Sequence, residues 1–183
     1  YFAWRECTPN RARGVRITVS TSWFVPKPHT AFQWEAQVSM EEYRRRVKLL
    51  RDNMRGRSIR YNWHDPDTSF LEAVFSRGDR QVADVIEEAW RQGAKFDAWS
   101  EYFDFDRWMA AFDACGLDPA FYANRVREKD EVLPWSVTST GVTTPFLWRE
   151  RELCYQSVTT PDCRSRCSAC GANKMLTGGR TCG

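Results

Sequence analysis

Residues 14–25 read GVRITVSTSWFV, a segment rich in β-branched side chains that partly alternate with polar ones. This pattern is typical of a strand with at least one buried face. Two prolines follow within the segment 26–30, and because proline has no amide hydrogen to donate, this segment cannot continue a ladder. We therefore predict a strand that ends in an extended loop, and this loop carries Lys27 and His29.

A helix and a second strand are predicted next. Ser39 and Glu42 have the spacing of a capping box, and apolar side chains then recur at helical intervals as far as Met54. A short alternating segment at 57–63 predicts a strand. The order strand, helix, strand predicts a βαβ unit, which is the building block of parallel sheets and barrels.

Beyond His64 the sequence predicts mainly helices. We expect them within residues 65–78, 79–92, 104–115, from 118 onward and 144–155, with a loop over 128–143. The helix within 79–92 is expected to bury one apolar face, made of Val82, Val85, Ile86, Ala89 and Trp90.

Composition limits the class of protein. Hydrophobic residues make up 42% and charged residues 28% of the 183, which indicates a folded chain and not a disordered one. No apolar run approaches the roughly 20 residues that cross a bilayer, so we expect no membrane span. The net charge of +3 does not by itself indicate nucleic-acid binding. The chain begins with Tyr1 rather than Met and shows no secretory signal, so we expect that the natural N-terminus is missing.

The cysteines carry the clearest chemical signal. Four of the seven lie close together near the end of the chain, as Cys163-x3-Cys167-x2-Cys170-x11-Cys182. An odd, clustered count favours metal ligation in a reducing compartment, so a cytoplasmic location is expected. Four thiolates suit tetrahedral zinc or a [4Fe-4S] cluster, and the spacing does not separate the two. Disulfide-bonded or free cysteines are the simpler alternative. The isolated cysteines are predicted to be small buried side chains, namely Cys7, Cys115 and Cys154.

Several motifs in order resemble one protein family. The run VSTSWFVPKPHTAFQW at 19–34 resembles the late-barrel motif of radical SAM proteins that contain a B12-binding domain. Further similar segments follow: LEAV at 71–74, RGDR at 77–80, LPW at 133–135, FL at 146–147 with Glu150, TPDC at 160–163, CGANK at 170–174, and GG at 178–179 before Cys182. The resemblance extends over residues 11–183 and is specific through the combination of these segments.

The resemblance implies an α/β fragment in three parts. Residues 1–63 would be the last βα units of a partial radical SAM barrel, residues 64–157 a mainly α-helical extension, and residues 158–183 a cysteine-rich metal-binding tail. The implied partners are the missing N-terminal domains of the same protein, which would bind S-adenosylmethionine, with cobalamin as a candidate second cofactor. The fragment is not expected to be catalytic alone.

The resemblance also implies roles for particular residues. In the family, a C-x3-C-x2-C motif that holds the SAM cluster follows the first barrel strand, whereas here only a short stretch follows Cys170. The four cysteines are therefore expected to hold an auxiliary iron-sulfur cluster or zinc. Lys27 and His29 are expected to contact the substrate, whose identity stays open, with RNA as one candidate.

Other interpretations remain open from the residues alone. The chain could instead be a zinc-stabilised module that binds RNA or protein without redox activity, or the tail could only staple the last helix to the body. A basic stripe would suit phosphate, and it consists of Arg44, Arg45, Arg46, Arg51, Arg55, Arg57 and Arg60. Acidic neighbours make a solvated helix face the simpler interpretation. His64 with Asp65 is a candidate catalytic pair, although a structural role is favoured.

Overall fold

The computed structural model describes residues 2–7, 15–54 and 56–175. Its helices and strands are α1 (Phe2–Cys7), β1 (Ile17–Thr21), α2 (Met40–Asn53), β2 (Ile59–Trp63), α3 (Pro66–Arg77), α4 (Val82–Arg91), α5 (Phe105–Ala114), α6 (Pro119–Ala123) and α7 (Thr144–Tyr155). Two 3-10 turns, Pro134–Val137 and Ala172–Met175, complete the secondary structure of these described residues. Arg55 and Cys182 lie outside the described residues.

The predicted strand–helix–strand unit is confirmed. Strands β1 and β2 pair in parallel, with Ile17 opposite Ile59 and Thr21 opposite Trp63. Strand β1 is shorter than predicted, because the last ladder bond runs from the His64 amide to the Thr21 carbonyl, at 3.1 Å, and the chain then turns away. The described part contains this two-stranded sheet and no barrel, so the barrel stays a prediction.

Helix α2 begins where its sequence predicts. The Ser39 hydroxyl accepts a hydrogen bond from the Glu42 amide, at 3.2 Å, which is one half of a capping box. The helix buries Tyr43 and Val47, and the Tyr43 ring stacks on Trp23 with centroids 4.6 Å apart and planes 3° from parallel. The other half of the box is absent in the described contacts, because the Glu42 carboxylate accepts bonds from arginines instead.

The chain divides into two compact units. The first contains the described residues within Tyr1–Phe24 and Val38–Leu71, and the second those within Val25–Gln37 and Glu72–Gly183. The second unit holds a hydrophobic cluster of Trp34, Leu133 and Leu147. It also buries apolar side chains of α4 and α5, namely Val82, Val85, Ala89, Trp108, Ala111 and Phe112.

Two packing predictions were wrong. Helix α4 buries a stripe made of Val82, Val85 and Ala89. Ile86 is 49% and Trp90 60% exposed, because both lie beside that stripe on the helix surface. Among the isolated cysteines, Cys7 and Cys154 are exposed and Cys115 is partly buried, so apolar character alone did not place them inside.

The described helices are all shorter than the roughly 20 residues of a membrane-spanning helix. None of those in residues 2–7, 15–54 and 56–175 has both the length and the apolar character that crossing a bilayer needs.

Candidate functional site

The loop that follows β1 places His29 beside the segment that precedes α7. The His29 backbone is left-handed, with φ of 57°, and its amide donates to the Gln33 side-chain oxygen at 3.0 Å. The Trp135 indole donates to the same oxygen at 2.7 Å. The imidazole Nε2 of His29 lies 3.0 Å from the Thr138 hydroxyl. His29 is therefore fixed at both its backbone and its side chain.

Arg77 at the end of α3 holds this loop in place. Its side chain is fully buried and donates to four backbone carbonyls, those of Pro26, Gln33, Tyr122 and Arg125, at 3.0 to 3.5 Å. Burial lowers the pKa of the Arg77 guanidinium to about 10, with nearby arginines acting in the same direction. The group is still a cation at neutral pH, and it ties the His29 loop to the α6 region.

A second buried arginine supports the first. Arg127 is 4% exposed and donates from its side chain to the Arg77 carbonyl at 2.9 Å, while its amide donates to the Trp34 carbonyl at 2.8 Å. Glu131 accepts from Arg127 at 3.2 Å and from both guanidinium nitrogens of Arg125 at 2.7 Å. The Arg125 hydrogen bonds are the main cause that lowers the pKa of Glu131 to about 2.

His29 lines a cavity of about 380 Å³. Its polar lining is rich in hydroxyl groups, which come from Ser136, Thr138, Ser139, Thr140, Thr143 and Thr144. The Trp135 ring and the Leu133 and Leu147 side chains supply the apolar part of the wall. A cavity that combines several neutral hydrogen-bonding groups with one imidazole suits a small polar molecule.

Lys27 and His29 do not meet at one site. The Lys27 ammonium forms an ion pair with the Glu72 carboxylate at the start of the second half of α3. The Lys27 carbonyl accepts from the Thr30 hydroxyl at 2.8 Å, which tightens the loop. Of the two predicted substrate contacts, His29 lines the cavity, whereas Lys27 is engaged with Glu72.

The cysteine tail has local backbone features of a metal knuckle. The Ala169 amide donates to the Cys167 sulfur at 3.5 Å, and an amide-to-sulfur bond of this kind stabilises a thiolate ligand. Ala169 and Gly171 on either side of Cys170 have φ of 57° and 95°, so the chain turns sharply around that cysteine.

The tail's thiols are not assembled into a ligand set. The thiols of Cys163, Cys167 and Cys170 are free. Across the described ranges, no three His, Cys, Asp or Glu side chains are arranged to hold a metal ion. The fourth predicted ligand, Cys182, lies outside those ranges. The backbone turn at 167–171 is therefore compatible with a metal site. The three described thiols, however, do not converge on one point.

The tail docks on the segment before α7. The Thr143 amide donates to the Cys170 carbonyl at 2.9 Å. A Cβ atom on Gly171 would lie 2.7 Å from the Thr143 side chain and 2.9 Å from the Gly141 carbonyl, so glycine is required for this contact. Arg149 of α7 donates to the Ser168 carbonyl at 2.7 Å. The segment 138–144 therefore contacts the tail and also lines the His29 cavity.

The His64 and Asp65 pair has a structural arrangement. The Asp65 carboxylate accepts from the Thr68 amide at 2.9 Å and from its hydroxyl at 3.0 Å, which caps the start of α3. The His64 carbonyl accepts from the Tyr43 hydroxyl at 2.8 Å. These contacts agree with the favoured structural role.

Sequence reasoning missed the residues that organise the site. Arg77 lay in a segment quoted only for its resemblance, and a buried arginine gives no periodic signal because its partners are backbone carbonyls distant in sequence. The run SVTSTGVT at 136–143 lies in the segment 128–143, for which the sequence predicts only a loop, although the density of hydroxyl groups in this run is visible in the sequence.

Comparisons with known proteins found no counterpart. No protein-family model matches the chain. A search of curated proteins and a search of solved structures each found no significant match.

Proposed function

We propose that this chain is the C-terminal region of a radical SAM enzyme of unknown substrate, with late barrel strands and an auxiliary iron-sulfur or zinc site. Two features support the proposal independently of the motif resemblance. The first is the parallel pairing of β1 with β2 across α2, which is the repeating unit of such a barrel.

The second feature carries the proposal. One segment, 138–144, contacts the knuckle through the bond from the Thr143 amide to the Cys170 carbonyl, and it contacts the β1 loop through Thr138 and His29. An auxiliary site formed at the tail would therefore lie next to a polar cavity of about 380 Å³. In this arrangement the cavity is the substrate side and the tail is the metal side of one functional region.

The residues proposed to hold the metal are Cys163, Cys167, Cys170 and Cys182. Thiolates are ligands that zinc and iron-sulfur clusters share. Either group would bring positive charge to the site, and an iron-sulfur cluster would also supply electron transfer. The chain's own contribution is the Ala169 amide, which hydrogen-bonds the Cys167 sulfur. Arg149 and Arg166 line the adjoining surface and would offset the negative charge of a four-thiolate site.

Metal analysis of anaerobically purified protein tests the proposal. We expect iron with acid-labile sulfide in the chain, and loss of both in Cys170→Ser. The matched control is Cys154→Ser, an exposed cysteine outside the tail, which should retain the metal. Equal loss in both variants, or a chain that binds neither iron nor zinc after reconstitution, would contradict the metal site.

The radical SAM assignment has a separate test. In the longer protein of which this chain is proposed to be a part, reductive cleavage of S-adenosylmethionine should require the upstream SAM-cluster cysteines. Cleavage of S-adenosylmethionine should persist in the Cys170→Ser variant, while turnover of the substrate is lost. An upstream sequence without such cysteines would overturn the enzyme assignment and leave the metal site standing.

A zinc-stabilised binding module is the second candidate. The sharp turn around Cys170 favours it as much as it favours a cluster, because zinc knuckles use the same turn. Colourless protein with one zinc and no iron would support this candidate and would remove the redox role.

A further inference from the structure

A groove on the first unit runs between α2 and the end of β2. It encloses about 280 Å³, just below the range of about 300–1,000 Å³ for small-molecule sites. Its lining combines Arg44, Lys48 and Arg51 with the side chains of Tyr43, Val47 and Trp63. The three cations are spaced by four and three residues, so they lie on one face of α2.

The cationic side chains of α2 fall into two groups, those paired with a carboxylate and those available to bind a ligand. Arg45 and Arg46 both donate to the Glu42 carboxylate, at 2.6 to 2.8 Å, and these bonds lower the pKa of Glu42 to about 2. Arg44 makes one weaker contact with Asp67 at 3.4 Å. Lys48 and Arg51 make no salt bridge within the described part of the chain. Their charges are therefore available to a ligand in the groove.

The groove also offers one open aromatic surface. Trp63 at the end of β2 is 42% exposed, and Tyr61 lies beside it with ring centroids 5.4 Å apart. Tyr43 does not offer a comparable surface, because its ring is buried and stacked on Trp23. An exposed indole next to uncompensated cations is the combination that binds a base and its phosphate in single-stranded nucleic acids.

We infer that this groove binds a nucleotide unit, either free or as part of a single strand. Lys48 and Arg51 hold the phosphate and Trp63 stacks on the base. Stacking on Trp63 uses the π face that every base has, so binding is tolerant of sequence. This site lies within the first unit and does not depend on the proposed metal site or enzyme assignment.

Fluorescence anisotropy with the whole chain and a labelled single-stranded oligoadenylate tests the inference. We expect Lys48→Ala with Arg51→Ala to weaken binding about tenfold or more at low salt. The slope of log affinity against log salt should fall by about 0.7, because the two cations hold one phosphate and each phosphate contact on a single strand contributes about 0.7. The matched control, Arg45→Ala with Arg46→Ala, removes the same charge from the same helix and should change affinity less than about twofold.

The aromatic contact is tested separately. Trp63→Ala should weaken oligoadenylate binding about tenfold, and Trp63→Phe should restore most of the affinity because it keeps a stacking ring. Competition with adenosine monophosphate, with adenosine and with inorganic phosphate separates the sources of the ligand. Displacement by the free monophosphate identifies a nucleotide site, and displacement only by the longer strand identifies a nucleic-acid site.

Two outcomes would overturn the inference. One is equal weakening by the groove variant and its charge-matched control, which would indicate unspecific attraction of a polyanion. The other is retention of full affinity in Trp63→Ala when circular dichroism shows an intact fold. Absence of measurable binding at low salt would overturn it as well.

Discussion

Arg77 is the residue on which the geometry of the cavity depends. Its guanidinium donates to four carbonyls from two stretches of chain, at 26–33 and at 122–125, and the side chain is fully buried. A buried carbonyl that loses its donor costs about 1–3 kcal/mol. The arginine therefore acts on the site through the backbone of the His29 loop and not by touching a ligand.

We predict that Arg77→Met lowers the free energy of unfolding by about 3 kcal/mol or more, because several buried acceptors lose their donor together. Arg77→Lys should be almost as damaging, since one ammonium cannot replace a forked guanidinium. Urea unfolding followed by circular dichroism measures both. Arg80→Met, at an exposed neighbouring position, should change the free energy by less than about 0.5 kcal/mol. Similar losses at the two positions would contradict this role of Arg77.

Glu131 makes the stability of the fold depend on pH in the acidic range. Its pKa is about 2 in the folded chain, against an ordinary value of 4.5, so the carboxylate stabilises the fold fully above pH 4.5. This stabilisation is lost as the pH falls from 4.5 through about 2. We predict that Glu131→Gln lowers the melting temperature at neutral pH and flattens its decline over this window. Thermal melts at several pH values measure the effect.

The exposed carboxyl of Glu128 provides the control for that experiment. Glu128→Gln removes one negative charge three residues away and should leave the acid dependence unchanged. If both variants flatten the profile equally, the dependence comes from net charge and not from the bonds to Arg125.

At the scale of elements, the parts that sequence predicted best are those with local causes. Helix α2 begins at its Ser39 cap, and α7 spans the predicted residues, because capping and proline placement act within one turn. The exposure of Trp90 was not predictable in the same way. An apolar side chain gives the same sequence signal whether or not another element covers it.

The contact between the tail and the segment before α7 leaves no room for a side chain on Gly171. We predict that Gly171→Ala detaches the tail, because it combines a strained φ of 95° with a collision against Thr143 and the Gly141 carbonyl. Detachment should speed alkylation of Cys170, measured by mass spectrometry.

The control for that variant separates strain from collision. Gly93→Ala has a similar φ of 102°, but nothing lies within 4 Å of its added Cβ. It should cost about 1 kcal/mol of stability and leave the alkylation of Cys170 unchanged. Unchanged alkylation in Gly171→Ala would contradict the tight contact.

At the scale of the whole molecule, the buried core lies upstream of the cysteine tail. Every buried hydrophobic side chain of the described residues lies at or before Leu147. We predict that a chain ending at Ser157 keeps its helices and cooperative unfolding, with a small drop in melting temperature from the lost tail contacts. Circular dichroism and calorimetry measure this. Loss of the folded state would favour a tail that is a structural staple.

The sequence predicted the βαβ unit and the order of the helices, but it left the site incomplete. The prolines after β1 correctly indicated a loop, and His29 lines a cavity there. The pairing of Lys27 with Glu72 depends on tertiary contacts that no local pattern encodes. The barrel, the cofactors and the metal set of Cys163, Cys167, Cys170 and Cys182 remain predictions.

The bond from the Thr143 amide to the Cys170 carbonyl also makes the amide hydrogen of Thr143 a reporter of tail docking. That amide can exchange with deuterium only when the bond opens, so its exchange rate reports the fraction of time for which the tail is detached. This exchange measurement does not depend on colour, redox state or turnover. If metal loading slows exchange at this amide while amides within β1 keep their rates, then metal binding and tail docking are one coupled equilibrium.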